Sequence, residues 1–252
     1  SVNTTVTVNA LPVASTPSSV CLGNTTQLSP NTGGTWISND LSKATIDDTG
    51  LVNTVAAGNV TFTFTNSTTN CSNTTTALSV LALPTVTSHP LATQTVCSGS
   101  TVSLSVGASG AGLTYQWYNG INPLSNGGSI SGATTATLTI NSITLGQAST
   151  DYYCVVSGTC TPSVSSNNAE IIVIERVIII TQPTTTQTLC TGNTATFSVA
   201  ATGAGLTYQW YKGATALVDS AIISGATTDT LTLSSLVNAD AGTDYYCLVS
   251  GT

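Results

Sequence analysis

The chain contains no methionine, one histidine and only three basic side chains in 252 residues, namely Lys43, Arg176 and Lys212. Nucleic-acid backbones and acidic lipid surfaces are held by clustered Lys and Arg, so neither is an expected partner. Charged residues make up 5% of the chain and the formal net charge is −7, which leaves Ser, Thr and Asn to keep it soluble. Disordered chains combine high charge with few β-branched residues, the reverse of this composition. No apolar run reaches the ~20 residues that a membrane-spanning helix requires, and no signal peptide is visible. The most apolar stretch, from Ile171 to Ile180, is broken by Glu175 and Arg176. It reads as the last strand of one domain running into the first strand of the next. A chain that starts at Ser1 without methionine is expected to be a processed or internal portion of a longer product.

The residues for chemistry are equally scarce. A Ser/His/Asp triad needs a histidine between nucleophile and carboxylate, whereas His89 stands beside Pro90 with no nucleophile-elbow glycines and reads as a solvated loop residue. Glycoside hydrolysis needs two facing carboxylates, but Asp47-Asp48 lies in a turn signal and the other acids are scattered. The same pair with Asn39 and Asp40 lacks the calcium-loop spacing of an EF-hand. No two cysteines have the Cys-x2–4-Cys spacing of a zinc site. Catalytic residues, cofactor and metal are all expected to be absent.

What the chain has in plenty is Val, Ile and Thr, which suit pleated, half-buried strands, together with an internal repeat. Cys97 to Thr159 aligns without gaps on Cys190 to Thr252, an offset of 93 residues. Leu113-Thr114-Tyr115-Gln116-Trp117-Tyr118 returns as Leu206-Thr207-Tyr208-Gln209-Trp210-Tyr211. Ser131-Gly132-Ala133-Thr134-Thr135 returns from Ser224, and Asp151-Tyr152-Tyr153-Cys154 returns from Asp244. This is one unit duplicated. Within it, Val102, Leu104 and Val106 alternate with polar residues, as do Leu138 and Ile140, and Gly-rich punctuation separates these runs. Period two broken by turns predicts short strands in an all-β sandwich or barrel.

The pattern Val106, Trp117, then Tyr152-Tyr153-Cys154 resembles strands B, C and F of the immunoglobulin fold. That resemblance implies Greek-key β-sandwiches in tandem, with Trp117 and Trp210 in the cores. It makes Tyr152 and Tyr245 corner tyrosines whose hydroxyls bond back to backbone. Trp36-Ile37-Ser38-Asn39-Asp40, Ala44-Thr45-Ile46-Asp47 and Gly50-Leu51-Val52 resemble the bacterial immunoglobulin-like group 2 domain, with Trp36 as its core tryptophan. Together these repeats look like the tandem domains of secreted Bacteroidota surface proteins. The expected organisation is a strand over 1–9, a group 2-like domain over 10–82, and immunoglobulin-like domains over 83–175 and 176–252. Short apolar linkers at Leu83-Pro84 and Glu175-Arg176 are expected to stiffen the array into a rod.

The two ends complement each other. Residues 1–9 read as a spare strand carrying Val2, Val6 and Val8, either the last strand of a preceding domain or a strand donated to a neighbouring copy. The last domain stops at Thr252, before a counterpart of the strand expected at about 168–175. A cut through a longer repeat array explains both ends equally.

Seven cysteines in such a chain point to an oxidising compartment. Under the immunoglobulin resemblance, Val106 and Val199 occupy the strand-B cysteine position, so Cys154 and Cys247 are expected as buried thiols. Cys21, Cys97 and Cys190 precede strand B, while Cys71 and Cys160 fall between strands F and G. In that topology these places lie at opposite ends of a sandwich, and a disulfide needs Cα atoms within about 7 Å. One reading is an inter-domain staple, Cys21 to Cys160, with Cys190 joined to Cys71 of a following unit. The other keeps the bridges within domains, Cys21 with Cys71 and Cys97 with Cys160 or Cys154.

Six Asn-x-Ser/Thr triplets and two Asp-Ser/Thr glycosylation-like triplets are short enough to arise by chance in so Thr-rich a chain. Tyr118 and Tyr211 show no aromatic platform in the sequence. The resemblance implies an extracellular or cell-surface fibre or adhesin stalk whose partners are copies of itself or neighbouring repeats, head to tail, with a host or surface ligand open. A carbohydrate- or protein-binding module and an accessory region of a large secreted enzyme stay open as alternatives.

Overall fold

The computed structural model describes residues 3–251. These form short strands and two single-turn 3-10 helices, Leu145–Gln147 and Asn238–Asp240, with no α-helix among the described residues. Apolar residues alternate with polar ones because successive side chains on a strand face opposite ways. Thus Leu78 and Val80 are buried on Leu78–Leu81, Tyr152, Cys154 and Val156 on Ser149–Ser157, and Ala169, Ile171 and Val173 on Ala169–Ile174.

The chain divides into two compact units. One comprises the chain up to Ala92 with Leu104–Leu138 and Asp151–Ala169; the other comprises Thr93–Ser103, Thr139–Thr150 and the chain from Glu170. The stretch expected as a domain over 83–175 contributes to both.

In the first unit, Leu78–Leu81 runs parallel to Ser19–Cys21 and antiparallel to Gly58–Val60. Two further antiparallel sheets, Thr25–Gln27 with Leu51–Thr54 and Ala44–Ile46, and Gly34–Ser38 with Phe62–Asn66 and Ser72–Thr74, enclose a core that includes Trp36, Phe62, Phe64 and Leu78. Trp36 and Phe64 meet with ring centroids 5.1 Å apart. Gly50 makes the tight turn into Leu51–Thr54 with φ +81°, a conformation that glycine adopts without Cβ strain. The same unit pairs Thr114–Asn119 with residues 152–157, so that Trp117 lies opposite Cys154.

In the second unit, Thr93–Cys97 runs parallel to residues 170–174. Thr207–Lys212 lies between Thr215–Ala216 and Tyr245–Ser250, and Thr230–Leu233 between Ala195–Ser198 and Ile223–Ser224. Their buried faces meet around Trp210, Leu231 and Leu233. The apolar stretch from Ile171 resolves into two strands, Ala169–Ile174 and Ile178–Thr181, separated at 175–177.

Among residues 3–9 there is no strand, and Val6 and Val8 are 82% and 90% exposed; Val2 lies outside the described residues. The alternation is intact, but strand structure requires a neighbouring row of N–H and C=O groups, and among the described residues no strand pairs with this segment.

Candidate functional site

Two features stand out: a disulfide and an uncovered groove. Cys21 closes the strand Ser19–Cys21 and lies opposite Leu81, the last residue of its parallel neighbour. Cys160 lies in the loop after Ser149–Ser157 and is 1% exposed. The two are bonded, with Cα atoms 5.6 Å apart. The Cys160 Sγ sits 3.9 Å from the Leu81 carbonyl oxygen, so the bond spans the point where the chain leaves Leu78–Leu81. The following residues are pinned as well. Ala111 N–H donates to the Ala82 carbonyl at 3.3 Å, and Thr159 N–H donates to the Ala111 carbonyl at 2.8 Å. Burial of Cys160 shields the bond from reductant, as befits a structural cross-link.

The other cysteines are unbonded. Cys71 is half-buried in the loop between Phe62–Asn66 and Ser72–Thr74, while Cys97 and Cys190 are exposed. Cys97 holds the register position of Cys21, opposite the last residue of its parallel neighbour, Ile174. Cys154 is fully buried, and desolvation pushes its thiol up to about 11. Cys247, expected as a buried thiol, is only half-buried; burial still raises its pKa, aided by the nearby Asp229 carboxylate and opposed by a hydrogen bond with the Gln209 backbone.

Trp117 and Trp210 are fully buried and donate from Nε1 to the carbonyls of Thr135 and Thr228, both at 2.9 Å; Trp36 donates to Pro30 at 2.8 Å. The acceptors of Trp117 and Trp210 lie in the recurring Ser-Gly-Ala-Thr-Thr segment. Gly132 and Gly225 have φ +73° and +77°, and a Cβ on either would collide with the carbonyl oxygen of Thr137 or Thr230. The Tyr245 hydroxyl donates to the Asp240 carbonyl at 2.8 Å. Tyr152 is 2% exposed, and burial raises its hydroxyl pKa.

Several roles lie beyond the sequence reading. Gln116 donates from Nε2 to the carbonyls of Trp117 and Leu124, and Gln209 likewise to those of Trp210 and Leu217, with a longer contact to that of Ala226. Their recurrence at the 93-residue offset was the available signal. Tyr118 stacks on Tyr153 at 5.2 Å and Tyr211 on Tyr246 at 5.1 Å. The aromatic surfaces missing from the linear sequence are therefore present as cross-strand pairs.

The acids serve turns. Asp47 accepts from the Thr49 hydroxyl and from the N–H groups of Thr49 and Leu51, and these bonds lower its pKa, the Thr49 hydroxyl foremost. Asp40 does the same with Ser42. His89 is exposed and its Nδ1 accepts the Asn167 N–H at 3.0 Å.

The groove, about 660 Å³, lies in the second unit between the stretch 182–191 and the strand Tyr245–Ser250. Its apolar floor includes Phe197, Leu233, Leu236, Tyr245 and Cys247. The equivalents of Phe197, Leu236, Tyr245 and Cys247 at the 93-residue offset, Leu104, Ile143, Tyr152 and Cys154, are all at most 2% exposed.

Three segments match known sequence families. Residues 4–77 match the bacterial Ig-like domain (group 2), residues 86–175 a domain of unknown function, and residues 181–250 the Ig-like domain that is CHU_C associated. No curated protein sequence matches the chain significantly. Among solved structures, an I-band fragment of titin is 16% identical with TM-score 0.57, covering 94% of this chain and 91% of that one. Extracellular domains 3–5 of Drosophila OTK are 13% identical with TM-score 0.52, covering 96% and 91%. The N-terminal eight Ig domains of Down Syndrome Cell Adhesion Molecule are 16% identical with TM-score 0.51, covering 92% and 40%. At these identities the likeness is one of fold: β-sandwich domains in tandem.

Proposed function

From a chain of tandem immunoglobulin-like domains, we propose a non-catalytic structural element of an extracellular stalk or fibre, whose work is spacing and the transmission of tension. The observation that carries this reading is the Cys21–Cys160 disulfide. It links the segment matching the group 2 domain to the segment that follows it. Its value is mechanical: tension entering at Cys21 passes to Cys160 through a covalent bond instead of through hydrogen-bonded strands. A bond of this kind persists in an oxidising compartment, which supports an extracellular or surface location. The acids engaged in turns and the buried tryptophans serve the scaffold, in keeping with an absence of catalysis.

Head-to-tail assembly of copies, completed by strand exchange between them, is the finer form of the reading. The proposal is tested by labelling intact source cells with antibody raised against residues 83–175. Surface labelling without permeabilisation, along fibres or projecting stalks, is expected. Signal appearing only after permeabilisation would refute it.

A further inference from the structure

We infer that two stacked tyrosine pairs, Tyr118 with Tyr153 and Tyr211 with Tyr246, are sites of oxidative coupling to dityrosine by hydrogen peroxide and a haem peroxidase. This adds a modification to the stalk reading and does not rest on it. Tyr118 lies directly opposite Tyr153 across an antiparallel pair, and Tyr211 lies opposite Tyr246. Directly opposed residues point to one face with Cβ atoms about 4.5–5.5 Å apart, so equal side chains set equal atoms side by side. The ring centroids lie 5.2 and 5.1 Å apart, with planes 9° and 7° from parallel, in the range of offset stacking. This matches Cε of one ring with Cε of the other, the carbons that dityrosine joins.

The pairs stand where an oxidant can reach them. Trp117 and Cys154, the adjacent rung, are fully buried. The next residue on each strand faces the other way, and Tyr118 and Tyr153 are only half-buried. Tyr211 is half-buried as well, and Tyr246 is exposed. The other four of the eight tyrosines are placed differently. Tyr115 lies opposite Val156 and Tyr208 opposite Val249, Tyr152 is buried, and Tyr245 stacks on Phe197. Neighbours on the outer face have diverged between the repeats. Pro123, paired with Tyr118, becomes Ala216 beside Tyr211, and Val155 becomes Leu248. Both tyrosines of the pair are kept.

Coupling supplies a tie that the cysteines do not. Cys154 and Cys247 are free thiols, and among the described residues the one disulfide, Cys21–Cys160, joins no two strands of either repeat. In the coupling step each phenol gives up one electron and its hydroxyl proton. The two radicals then join through one Cε of each ring, and the hydrogen on each joined carbon moves to the neighbouring oxygen to restore the phenol. One hydrogen peroxide takes up the two electrons and two protons and leaves as two waters. The product fastens Thr114–Asn119 to Ser149–Ser157, and Thr207–Lys212 to Tyr245–Ser250, by a carbon–carbon bond that reductant does not cleave.

The test treats the full chain with a haem peroxidase and hydrogen peroxide, after iodoacetamide has blocked the exposed thiols of Cys97 and Cys190. A parallel sample of free tyrosine shows that the oxidant is active. Dityrosine fluorescence and peptide mapping of the monomer fraction are the readouts. Linked Tyr118–Tyr153 and Tyr211–Tyr246 peptides are expected, each lighter than its parts by two hydrogens, in a yield that tenfold dilution leaves unchanged. Tyr118→Phe with Tyr211→Phe removes one phenol from each pair and keeps the ring. Dityrosine fluorescence should then fall at least tenfold while tryptophan fluorescence stays the same. Dityrosine confined to cross-linked dimers, or mapped to Tyr115 or Tyr208, overturns the proposal. So does its absence from a chain whose free-tyrosine control has reacted. None of these outcomes alters surface labelling, so the stalk reading stands or falls separately.

Discussion

Replacing both Cys21 and Cys160 by serine removes the cross-link without leaving an odd thiol. The cysteines are 139 residues apart. Loop-closure entropy then puts the bond at about 5 kcal/mol at 25 °C if everything between them melts together. If only the segment before the exit at 82–84 melts, the closed loop shrinks to roughly 60 residues and the figure to about 4 kcal/mol. The dependence on length is logarithmic, so both routes predict a similar loss. With a guanidinium slope of about 2 kcal/mol per molar for a small domain, the midpoint falls by about 2 M. Tryptophan fluorescence follows this well, because Trp36 and Trp117 are buried in segments on either side of the bond and Trp210 lies in the third matched segment. Single-tryptophan versions should show the shift at Trp36 or Trp117 and little at Trp210. A midpoint lowered by less than about 0.5 M would refute the reasoning.

Other perturbations have defined outcomes. Trp117→Ala should cost about 3–5 kcal/mol in chemical denaturation, because a fully buried indole is deleted and the Thr135 carbonyl loses its donor. A cost under about 1 kcal/mol would mean that this side chain is not core. Gly132→Ala and Gly225→Ala should each cost at least about 2 kcal/mol, since both combine positive φ with a backbone collision; unchanged melting would contradict the turn. Cys154 should resist thiol reagents at pH 8 in the folded chain and react on unfolding. The folded thiol, at about 11, holds its proton above the ordinary thiol value. Stability from this group is therefore full below the ordinary value and is lost as pH rises towards about 11. Cys154→Ala should flatten that alkaline decline, and an unchanged slope would refute the assignment.

Much of the fold was legible because it is written twice. The 93-residue offset aligned Trp117 with Trp210 and Tyr152 with Tyr245, and period-two alternation marked Val102, Leu104, Leu138 and Ile140, all buried. Less legible were features set by residues remote in sequence. Cysteine spacing left two pairings for Cys21, because connectivity depends on which loop ends the fold brings together. The alternation of Val6 and Val8 signalled a strand, but pairing belongs to the neighbour and not to the segment. Cys247 was read as the twin of Cys154. Its burial differs because Ala169–Ile174, the last strand of the earlier repeat, has no counterpart within residues 190–252. The side-chain bonds of Gln116 and Gln209 carry no periodic signature beyond their recurrence.

Stretching single molecules from end to end, with and without reductant, tests the mechanical account most directly. While Cys21 and Cys160 are joined, the 139-residue interval between them cannot extend. Reduction should therefore lengthen the fully unfolded chain by about 500 Å at ~3.6 Å per residue. A chain that reaches its full contour before any reductant is added would contradict the claim that tension is carried across this bond.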